Sequence, residues 1–398
     1  MSSKKYNVPV FMYHSIGVPN KAWDWNYLTC PYDRFEAQLK AIKELGLKTI
    51  SLNALYDHMV DGKPIPEKSI ALTFDDGYAD IWIYAYPLLK KYDMCGTVFI
   101  NPDFVDPRKS NNLLYQLDDN TKHLATSGYL SWDEIIQMDN EKVVFSESHA
   151  LTHTWYPITD QIVDFRNPID AYTWMTWNKH PDLKHQLQID NIKLRELGQP
   201  VYKHEKSLMH KRYFPDQKID SYVQDYVNKE GGVDFFKQTD FKSILLDKVE
   251  AYKEKNTIND RYETQEEYEL RLRHELEFTK TILEQKLNRE IIFLCWPGGS
   301  ATKVGMKIAT ELGYKFFNSA KDLTTKERNG IKNIINGGNR ISRITPLIYF
   351  NGQENQGSKI VYANKFWMKL YIYRNKNTFL SKVLFKIVSV YSNIINKA

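Results

Sequence analysis

The sequence predicts an α/β protein built on a parallel sheet that is either open or closed into a barrel. Short apolar runs bounded by turn residues alternate with segments of helical periodicity, which is the pattern of repeated strand–helix units. The runs are mostly apolar, as expected of strands buried on both faces of a parallel sheet. Unusual polar side chains follow the ends of several runs, where parallel α/β proteins place their functional sites.

The predicted elements follow one another at regular intervals. The run VPVFMY over residues 8–13 is the first strand, and residues 34–45 form a helix with one apolar face that Gly46 terminates. Ser131 and Glu134 have the spacing of a capping box, which begins a helix that reaches Met138. Further strands are predicted at 48–50, 70–74, 96–100, 142–146, 291–295 and 314–319, and further helices after Ser51 and at about 80–92, 266–287 and 303–312.

One long segment interrupts this order. Residues from about 155 to 264 are charged, aromatic and mostly helical in pattern, and they contain no motif that indicates a chemistry. We interpret them as an insertion beside the site, where a segment of that length is expected to form a lid or a substrate platform. The predicted organisation is therefore a barrel-type domain over 1–361, interrupted at about 155–264, and a tail over 362–398.

Charge is unevenly distributed along the chain. The 398 residues carry a formal charge of +5, but the tail from Tyr362 onward holds seven basic residues and no acidic one. The body of the chain is consequently close to neutral. Because binding of nucleic acid requires a basic face on the folded domain, we do not expect a nucleic acid partner.

The tail has the pattern of an amphipathic helix. Counting 100° per residue from Leu380 places the apolar side chains on one side and the lysines on the other. Such a face most often packs on the body of the protein. A membrane surface is the alternative, because the tail is purely cationic and anionic lipids attract basic residues.

The cysteines and the first residues predict a cytosolic protein. Cys30, Cys95 and Cys295 cannot all pair within one chain, and their spacing matches no zinc-binding pattern, which favours a reducing compartment. The first residues lack the apolar stretch of a secretory signal, and no window has the length of a membrane-spanning helix.

Two adjacent aspartates follow the strand at 70–74. Asp75 and Asp76 precede Gly77, whose turn can direct both carboxylates into one site. Two carboxylates this close shift each other's pKa apart unless a cation lies between them. A bound metal would supply that cation, although an aspartate that merely caps the next helix is the simpler interpretation of a lone Asp-Gly.

Two histidines follow the strand at 142–146. His149 and His153 in HALTH have the i, i+4 spacing that would place both imidazoles on one face of a helical turn, an arrangement that chelates divalent metals. Two histidines and one carboxylate leave coordination positions open, as in catalytic zinc-type sites.

Together with a third segment, these motifs resemble a known family. The segments TFDDGY, HALTH and CWPGG, at 73–78, 149–153 and 295–299, are similar in order and strand context to the three successive motifs of the polysaccharide deacetylases, the NodB-homology carbohydrate esterases. The resemblance runs from about 8 to 346. It implies a distorted (β/α)7 TIM-like barrel and metal-dependent removal of an acetyl group from an N-acetylated or O-acetylated sugar. The sequence pattern adds to this barrel a large, mostly helical insertion and a C-terminal helical tail.

The resemblance also assigns roles. Asp75 corresponds to the catalytic base, and Asp76, His149 and His153 correspond to the metal ligands, with zinc expected and cobalt, nickel, manganese or iron as alternatives. Pro297 matches the third motif, so that the backbone N–H of Gly298 would help to hold the oxyanion. The family's third motif usually opens with an arginine that steadies the base. Cys295 and Trp296 flank that position here, and Arg340 or Arg343 could supply the guanidinium from elsewhere.

His14 is the candidate general acid. Expulsion of an amine requires a proton donor with a pKa near neutrality, usually a histidine. Of the histidines outside the metal motif, only His14 follows a predicted strand, and its segment MYHSI resembles the N-terminal segment of the poly-N-acetylglucosamine deacetylase branch. A hydrogen-bonded core histidine is the alternative.

The leading hypothesis is therefore a cytosolic, metal-dependent carbohydrate N-deacetylase that acts on a nucleotide-linked or lipid-linked precursor of a surface glycan. A related hydrolase of a formyl amide, an O-acetyl ester or a cyclic imide is the first alternative. A catalytically degenerate barrel that binds glycans is the second.

Overall fold

The computed structural model describes residues 8–20, 23, 25–108, 128–186, 192–318, 340–341, 343–344 and 365–374, together with 379, 383–384 and 386–387. Within them the strands are β1 (Val10–Tyr13), β2 (Ser15–Gly17), β3 (Thr29–Pro31), β4 (Lys48–Thr49), β5 (Ser69–Phe74), β6 (Gly96–Ile100), β7 (Val144–Ser148), β8 (Trp155–Phe165), β9 (Pro200–Lys206), β10 (Tyr213–Phe214), β11 (Arg261–Tyr262), β12 (Phe293–Cys295), β13 (Phe316–Asn318) and β14 (Arg340–Ile341). The α-helices are α1 (Tyr32–Glu44), α2 (Leu52–Asp61), α3 (Tyr86–Tyr92), α4 (Trp132–Asn140), α5 (Thr173–Lys179), α6 (Gln217–Lys229), α7 (Phe241–Lys255), α8 (Gln265–Leu287), α9 (Lys303–Glu311) and α10 (Lys365–Arg374). Short 3₁₀ segments lie at Asn26–Leu28, Pro102–Phe104, Pro181–Leu183, Gly232–Lys237 and Pro297–Gly299.

A curled parallel sheet forms the centre of the fold. Its strands are ordered β1-β5-β6-β7-β12-β13-β14, with β4 paired to β5 outside this path. Just beyond β14, Ile344 forms a parallel bridge with Phe11 of β1, and backbone bonds join it to Val10 and Met12. The two ends of the sheet therefore meet, and the predicted α/β barrel fold is confirmed.

Burial explains why these runs form strands. Every residue of β5 and β6 is buried, so that both faces of each strand are covered, as in a barrel. Hydrogen bonds at helix ends determine where two helices begin. Ser131 and Glu134 form the predicted capping box at α4, and the Ser51 side chain accepts the N–H of Ala54 at α2.

The helix predicted at about 80–92 is composite. Its first turn, Ile81–Ala85, is a π-helical segment, and α3 follows directly. The strand predicted at 142–146 lies two residues later, as β7. Boundaries of this kind depend on tertiary pairing, and here Gly96 of β6 pairs with Val144.

The insertion is less helical than its sequence pattern indicates. It opens with the long strand β8, which pairs antiparallel with β9. The β8–β9 ribbon and helices α5, α6 and α7 enclose two further apolar clusters, one of which contains Trp174 and Trp177. The prediction of a mostly helical insertion missed this ribbon because irregular register shifts break the two-residue periodicity of β8.

The tail is described in part. In α10, Met368 is fully buried and Ile372 packs against the core, and α10 contacts α1. Most of the helix predicted from Leu380 onward lies outside the described residues, as does the side chain of Arg340. Within the described part of the chain, no helix combines the length and the apolar character that crossing a membrane requires.

Candidate active site

The carboxyl ends of β1, β5, β7 and β12 open into one cavity of about 610 Å³. Parallel strands present their carboxyl ends at the same end of a barrel, so residues distant in sequence meet there. Every site residue predicted from the sequence contributes to the lining of this cavity: His14, Asp75, Asp76, His149, His153 and Gly298.

Asp75 is a buried carboxylate held by an arginine. Arg343 Nη1 lies 2.6 Å from Asp75 Oδ1 and Arg343 Nη2 lies 2.8 Å from Asp75 Oδ2, so the pair is bidentate. Burial raises the pKa of Asp75, but the charge and hydrogen bonds of Arg343 outweigh it and hold the pKa below its usual value. The third motif of this chain has Cys295 and Trp296 around the position where an arginine was expected. Of the two arginines considered from the sequence as replacements, Arg343 is the one that contacts Asp75.

Asp76, His149 and His153 converge beside this pair. Asp76 Oδ1 lies 3.2 Å from His149 Nε2 and 3.4 Å from His153 Nε2. Their ligand atoms all fall within 4.8 Å of one another, close enough to share one ion. Asp76 adopts a left-handed backbone conformation, with φ of 72°, that a non-glycine residue seldom occupies. Such strain is typical of functional positions.

The donor set fits a divalent metal. His149 Nδ1 donates to the carbonyl of Cys295 at 2.7 Å, so Nε2, which is directed at Asp76, is the nitrogen that can bind a metal. Burial together with the charges of His149 and Lys206 lowers the pKa of His153 to about 4, so that imidazole is neutral. Burial lowers the pKa of His149, but the Cys295 side chain and the two aspartates raise it by more. The site is thus electrostatically suited to a positive charge.

A second group, Asp75 with His149 and Cys295, has a similar spacing. Both oxygens of Asp75 already accept from Arg343, and burial raises the pKa of the Cys295 thiol, which disfavours the thiolate that binds metals. Of the two groups, Asp76, His149 and His153 therefore fit a divalent metal better.

The two histidines do not lie on a helical turn, so that part of the prediction is wrong. The segment from His149 to Thr154 is a loop with positive φ at Ala150 and His153. The loop is irregular because side chains bind its backbone in place of intrahelical partners. Asn101, at the end of β6, donates to the carbonyls of His149 and Ala150.

Glu275 of α8 is the functional residue that sequence reasoning missed. Its fully buried carboxylate accepts from the backbone N–H of Leu151 at 3.2 Å, and from the N–H and hydroxyl of Thr152 at 3.0 and 2.5 Å. It therefore holds the loop between the two histidines. One signal was available, since Glu275 is a charged residue at an inward position of a long helix.

The third motif forms a tight turn. Gly298 has φ of 53°, and a Cβ there would collide with the Lys206 ammonium, which donates to the Gly298 carbonyl. The positive φ is the reason that glycine is favoured at this position, since the flexible end of Lys206 can shift. Among the described residues the Gly298 N–H has no hydrogen-bond acceptor, so it is available to a ligand in the cavity.

His14 and a set of aromatic rings complete the cavity. His14 Nε2 lies 3.8 Å from Asp75 Oδ2, and its side chain is 21% exposed. The insertion contributes Trp155 and Trp177, whose rings lie near His153 and Trp25, with centroid separations of 6.0 and 5.1 Å. One wall of the cavity therefore carries carboxylates and imidazoles, and the other is aromatic.

Comparison with known proteins agrees with this geometry. Residues 62–200, which include the first two motifs, match the family model described as Polysaccharide deacetylase. Through this segment the chain is similar to the polysaccharide deacetylases. The resemblance expected from the three motifs is thus confirmed, whereas the branch indicated by MYHSI stays a prediction.

Two curated relatives and one solved structure illustrate the similarity. The Bacillus subtilis protein YxkH, whose name assigns it to the polysaccharide deacetylases, is 36% identical over 99 residues, 25% of this chain and 33% of that protein. The poly-beta-1,6-N-acetyl-D-glucosamine N-deacetylase of Escherichia coli is 21% identical over 138 residues, 35% of this chain and 19% of that protein. The chain thus spans about a third of the length of the B. subtilis protein and about a fifth of the length of the E. coli protein.

The structural comparison supports the fold. The de-N-acetylase from Aggregatibacter actinomycetemcomitans superposes with a TM-score of 0.51 at 16% identity, covering 85% of this chain and 94% of that chain. The fold shared with that structure therefore extends well beyond the segment that the family model matches.

Glu275→Ala should loosen the spacing of His149 and His153, because two backbone N–H groups and one hydroxyl lose their acceptor. We expect zinc affinity to fall about 10- to 100-fold, the range for residues that orient metal ligands. Isothermal titration with Zn²⁺ measures this. Glu269→Ala, on the same helix but exposed and bonded to Gln265, is the control. Lower thermal stability with unchanged zinc affinity would show that Glu275 is merely structural.

Proposed function

We propose that the chain is a metal-dependent carbohydrate N-deacetylase. The observation that carries this proposal is the convergence, in one cavity, of an arginine-held carboxylate, a two-histidine and one-aspartate ligand set, and a free backbone N–H. A divalent ion held by Asp76, His149 and His153 would supply positive charge that polarises a carbonyl and lowers the pKa of water.

Three protein groups around that position each have one role in amide hydrolysis. Asp75, oriented by Arg343, accepts a proton from the water that attacks the acetyl carbonyl carbon. The N–H of Gly298 donates to the oxygen that becomes negative. His14 then donates a proton to the nitrogen as the C–N bond breaks, which releases acetate and the free amine. His14 and Asp75 line the same cavity, so one substrate can reach both.

The aromatic wall supports a sugar substrate. The rings of Trp25, Trp155 and Trp177 stand beside the ligand set, and aromatic faces pack on the apolar faces of pyranose rings. The names of the E. coli and Staphylococcus aureus relatives refer to poly-beta-1,6-N-acetyl-D-glucosamine. We therefore propose an N-acetylhexosamine unit as the substrate.

We place the reaction in the cytosol, on a nucleotide-linked or lipid-linked precursor of a surface glycan. Three free cysteines, two buried and one half-buried, support a reducing compartment.

We further propose that the tail contacts an anionic membrane surface, where a lipid-linked precursor would be found. In the described part of the tail, Phe379 is 84% exposed and Ile387 is 59% exposed, and Val383 and Leu384 are also exposed. These apolar side chains do not pack on the barrel. All charged residues of the tail are basic, which complements anionic lipid.

Acetate release tests the proposed activity. The wild-type protein with Zn²⁺ should release acetate from N-acetylglucosamine oligosaccharides or UDP-N-acetylglucosamine, and Asp75→Asn should lower the rate by about 10² to 10⁴ while zinc content stays unchanged. Asp139→Asn is the matched control, since Asp139 is also buried and paired with an arginine, Arg289, but lies outside the cavity. It should retain turnover.

Equal rates for wild type and Asp75→Asn would refute the assignment of the base. Release of formate, or activity confined to a cyclic imide, would identify a related hydrolase. Glycan binding without any turnover would identify a degenerate barrel.

The proposed role of His14 predicts a dependence on the leaving group. His14→Ala should lower amide hydrolysis about 10²- to 10⁴-fold, the range for general acid–base catalysis, because an amine requires protonation to leave. The loss should be much smaller for an O-acetyl ester, whose alcohol is a better leaving group. Parallel rate measurements on an N-acetyl and an O-acetyl sugar test this, with His58→Ala, at a half-buried histidine of α2 outside the cavity, as control. Equal losses on both substrates would indicate a structural role.

The tail proposal predicts binding to anionic vesicles. The full chain should co-sediment with vesicles that contain about 30% phosphatidylglycerol, and salt should weaken binding because each basic residue contributes about 1 kcal/mol near an anionic surface. The triple variant Phe379→Glu, Leu384→Glu, Ile387→Glu should lose binding. The control Val60→Glu, at an exposed residue of α2, should keep it. Undiminished binding by the triple variant, or none by the wild type, would contradict the proposal.

A further inference from the structure

The insertion contains a second cavity, of about 530 Å³, on the side away from the active site. The strand β8 and the helix α5 line both cavities. Trp155 and Trp177 line the active-site cavity, whereas Tyr156 and Trp174 line the second. Successive residues of a strand point to opposite faces, so β8 forms a wall between them.

Arg212 is the most informative residue of this cavity. Its guanidinium lies between two aromatic rings, 4.4 Å from the centroid of Tyr156 and 4.7 Å from that of Phe214. Among the described residues, no side chain or carbonyl accepts a hydrogen bond from this guanidinium. Arg271, which also stacks on Tyr156, instead has a salt bridge with Glu263. Arg212 is therefore held rigidly with its donor edge unused, in the wall of a cavity.

Asp220 offers the complementary group. One of its oxygens accepts from Gln199 at 2.9 Å, and the other, Oδ1, is buried without a partner among the described residues. Trp174, which is 8% exposed, likewise has no acceptor for its indole N–H in the described structure. Buried polar groups without partners are uncommon, and a polar ligand in this cavity would satisfy all three.

The composition of the lining indicates the class of ligand. The charged side chains are two cations, Arg212 and Lys179, and two carboxylates, Asp220 and Glu196, so a polyanion gains no net attraction. Four side-chain amides provide donors and acceptors without charge: Asn178, Gln199, Gln217 and Gln224. Such groups, together with aromatic rings, match the hydroxyls, acetamido groups and apolar faces of a neutral sugar.

We propose that this cavity is a second glycan-binding site, which holds a neutral N-acetylated oligosaccharide through Arg212 and Asp220. The choice of sugar rests on the function proposed above, but the cavity and its unused polar groups do not. The site anchors the glycan on the insertion and does not take part in the chemistry.

Hydrogen exchange with mass spectrometry tests the proposal directly. The full chain carrying Asp75→Asn, which should not consume the ligand, is saturated with a β-1,6-linked N-acetylglucosamine pentasaccharide. Protection is expected at 199–202 and 212–214, in addition to any at the active site. Calorimetric titration with the same pentasaccharide then compares the Asp75→Asn chain with and without Arg212→Ala. Arg212→Ala should weaken binding at this site by about tenfold or more, the effect of losing a hydrogen bond to a charged group.

Two further variants make the result specific. Arg261 also stacks on Phe214, with its guanidinium 4.2 Å from the ring centroid, but it pairs with Glu267 and does not line the cavity. Arg261→Ala should therefore leave binding unchanged. Asp220→Asn preserves the size of the side chain and should also weaken binding, which guards against a misfolded Arg212→Ala. Circular dichroism confirms that each variant is folded.

Absence of protection at 199–202 and 212–214 at saturating ligand would overturn the proposal, as would equal losses of affinity in Arg212→Ala and Arg261→Ala. The outcome is independent of catalysis. Protection at the second cavity in a protein that releases no acetate would refute only the proposed activity, and acetate release without that protection would refute only the second site.

Discussion

The arrangement of the site depends on one hydrogen bond, from His149 Nδ1 to the carbonyl of Cys295 at 2.7 Å. It joins the end of β7 to the end of β12, so the second and third motifs cannot move independently. It also fixes the tautomer, because a carbonyl can only accept, and this leaves Nε2 directed at Asp76. The bond is fully buried, where water cannot compete for either partner.

The insertion changes what the barrel can bind. Through β8 and α5 it supplies an aromatic wall to the cavity, and through β9 it supplies Lys206, whose ammonium bonds the carbonyl of Gly298, a lining residue of the same cavity. The same ribbon walls off the second cavity. Since β8 begins two residues after His153 and Lys206 of β9 bonds the Gly298 carbonyl, the insertion is connected both to the proposed metal position and to the turn of the third motif.

Much of this architecture could be predicted from the sequence, because buried parallel strands have continuous apolar runs and their carboxyl ends converge. Asp75, Asp76, His149 and His153 could be placed for that reason. The loop around the histidines could not, since its conformation depends on Glu275 and Asn101, which are distant in sequence or on another strand. Arg343 could be named only as one of two arginines, because pairing with Asp75 is a tertiary contact. The β8–β9 ribbon was not predicted, because bulges break the two-residue periodicity of its sequence.

The central claim is that Asp76, His149 and His153 bind one divalent ion through Nε2 of both histidines. Anomalous diffraction from crystals grown with Zn²⁺ tests it most directly. The account predicts a single strong zinc peak about 2.0 to 2.2 Å from both Nε2 atoms and from an Asp76 oxygen, with His149 Nδ1 still bonded to the Cys295 carbonyl. A peak coordinated by Asp75 and Cys295, or no peak within reach of His149, would contradict it.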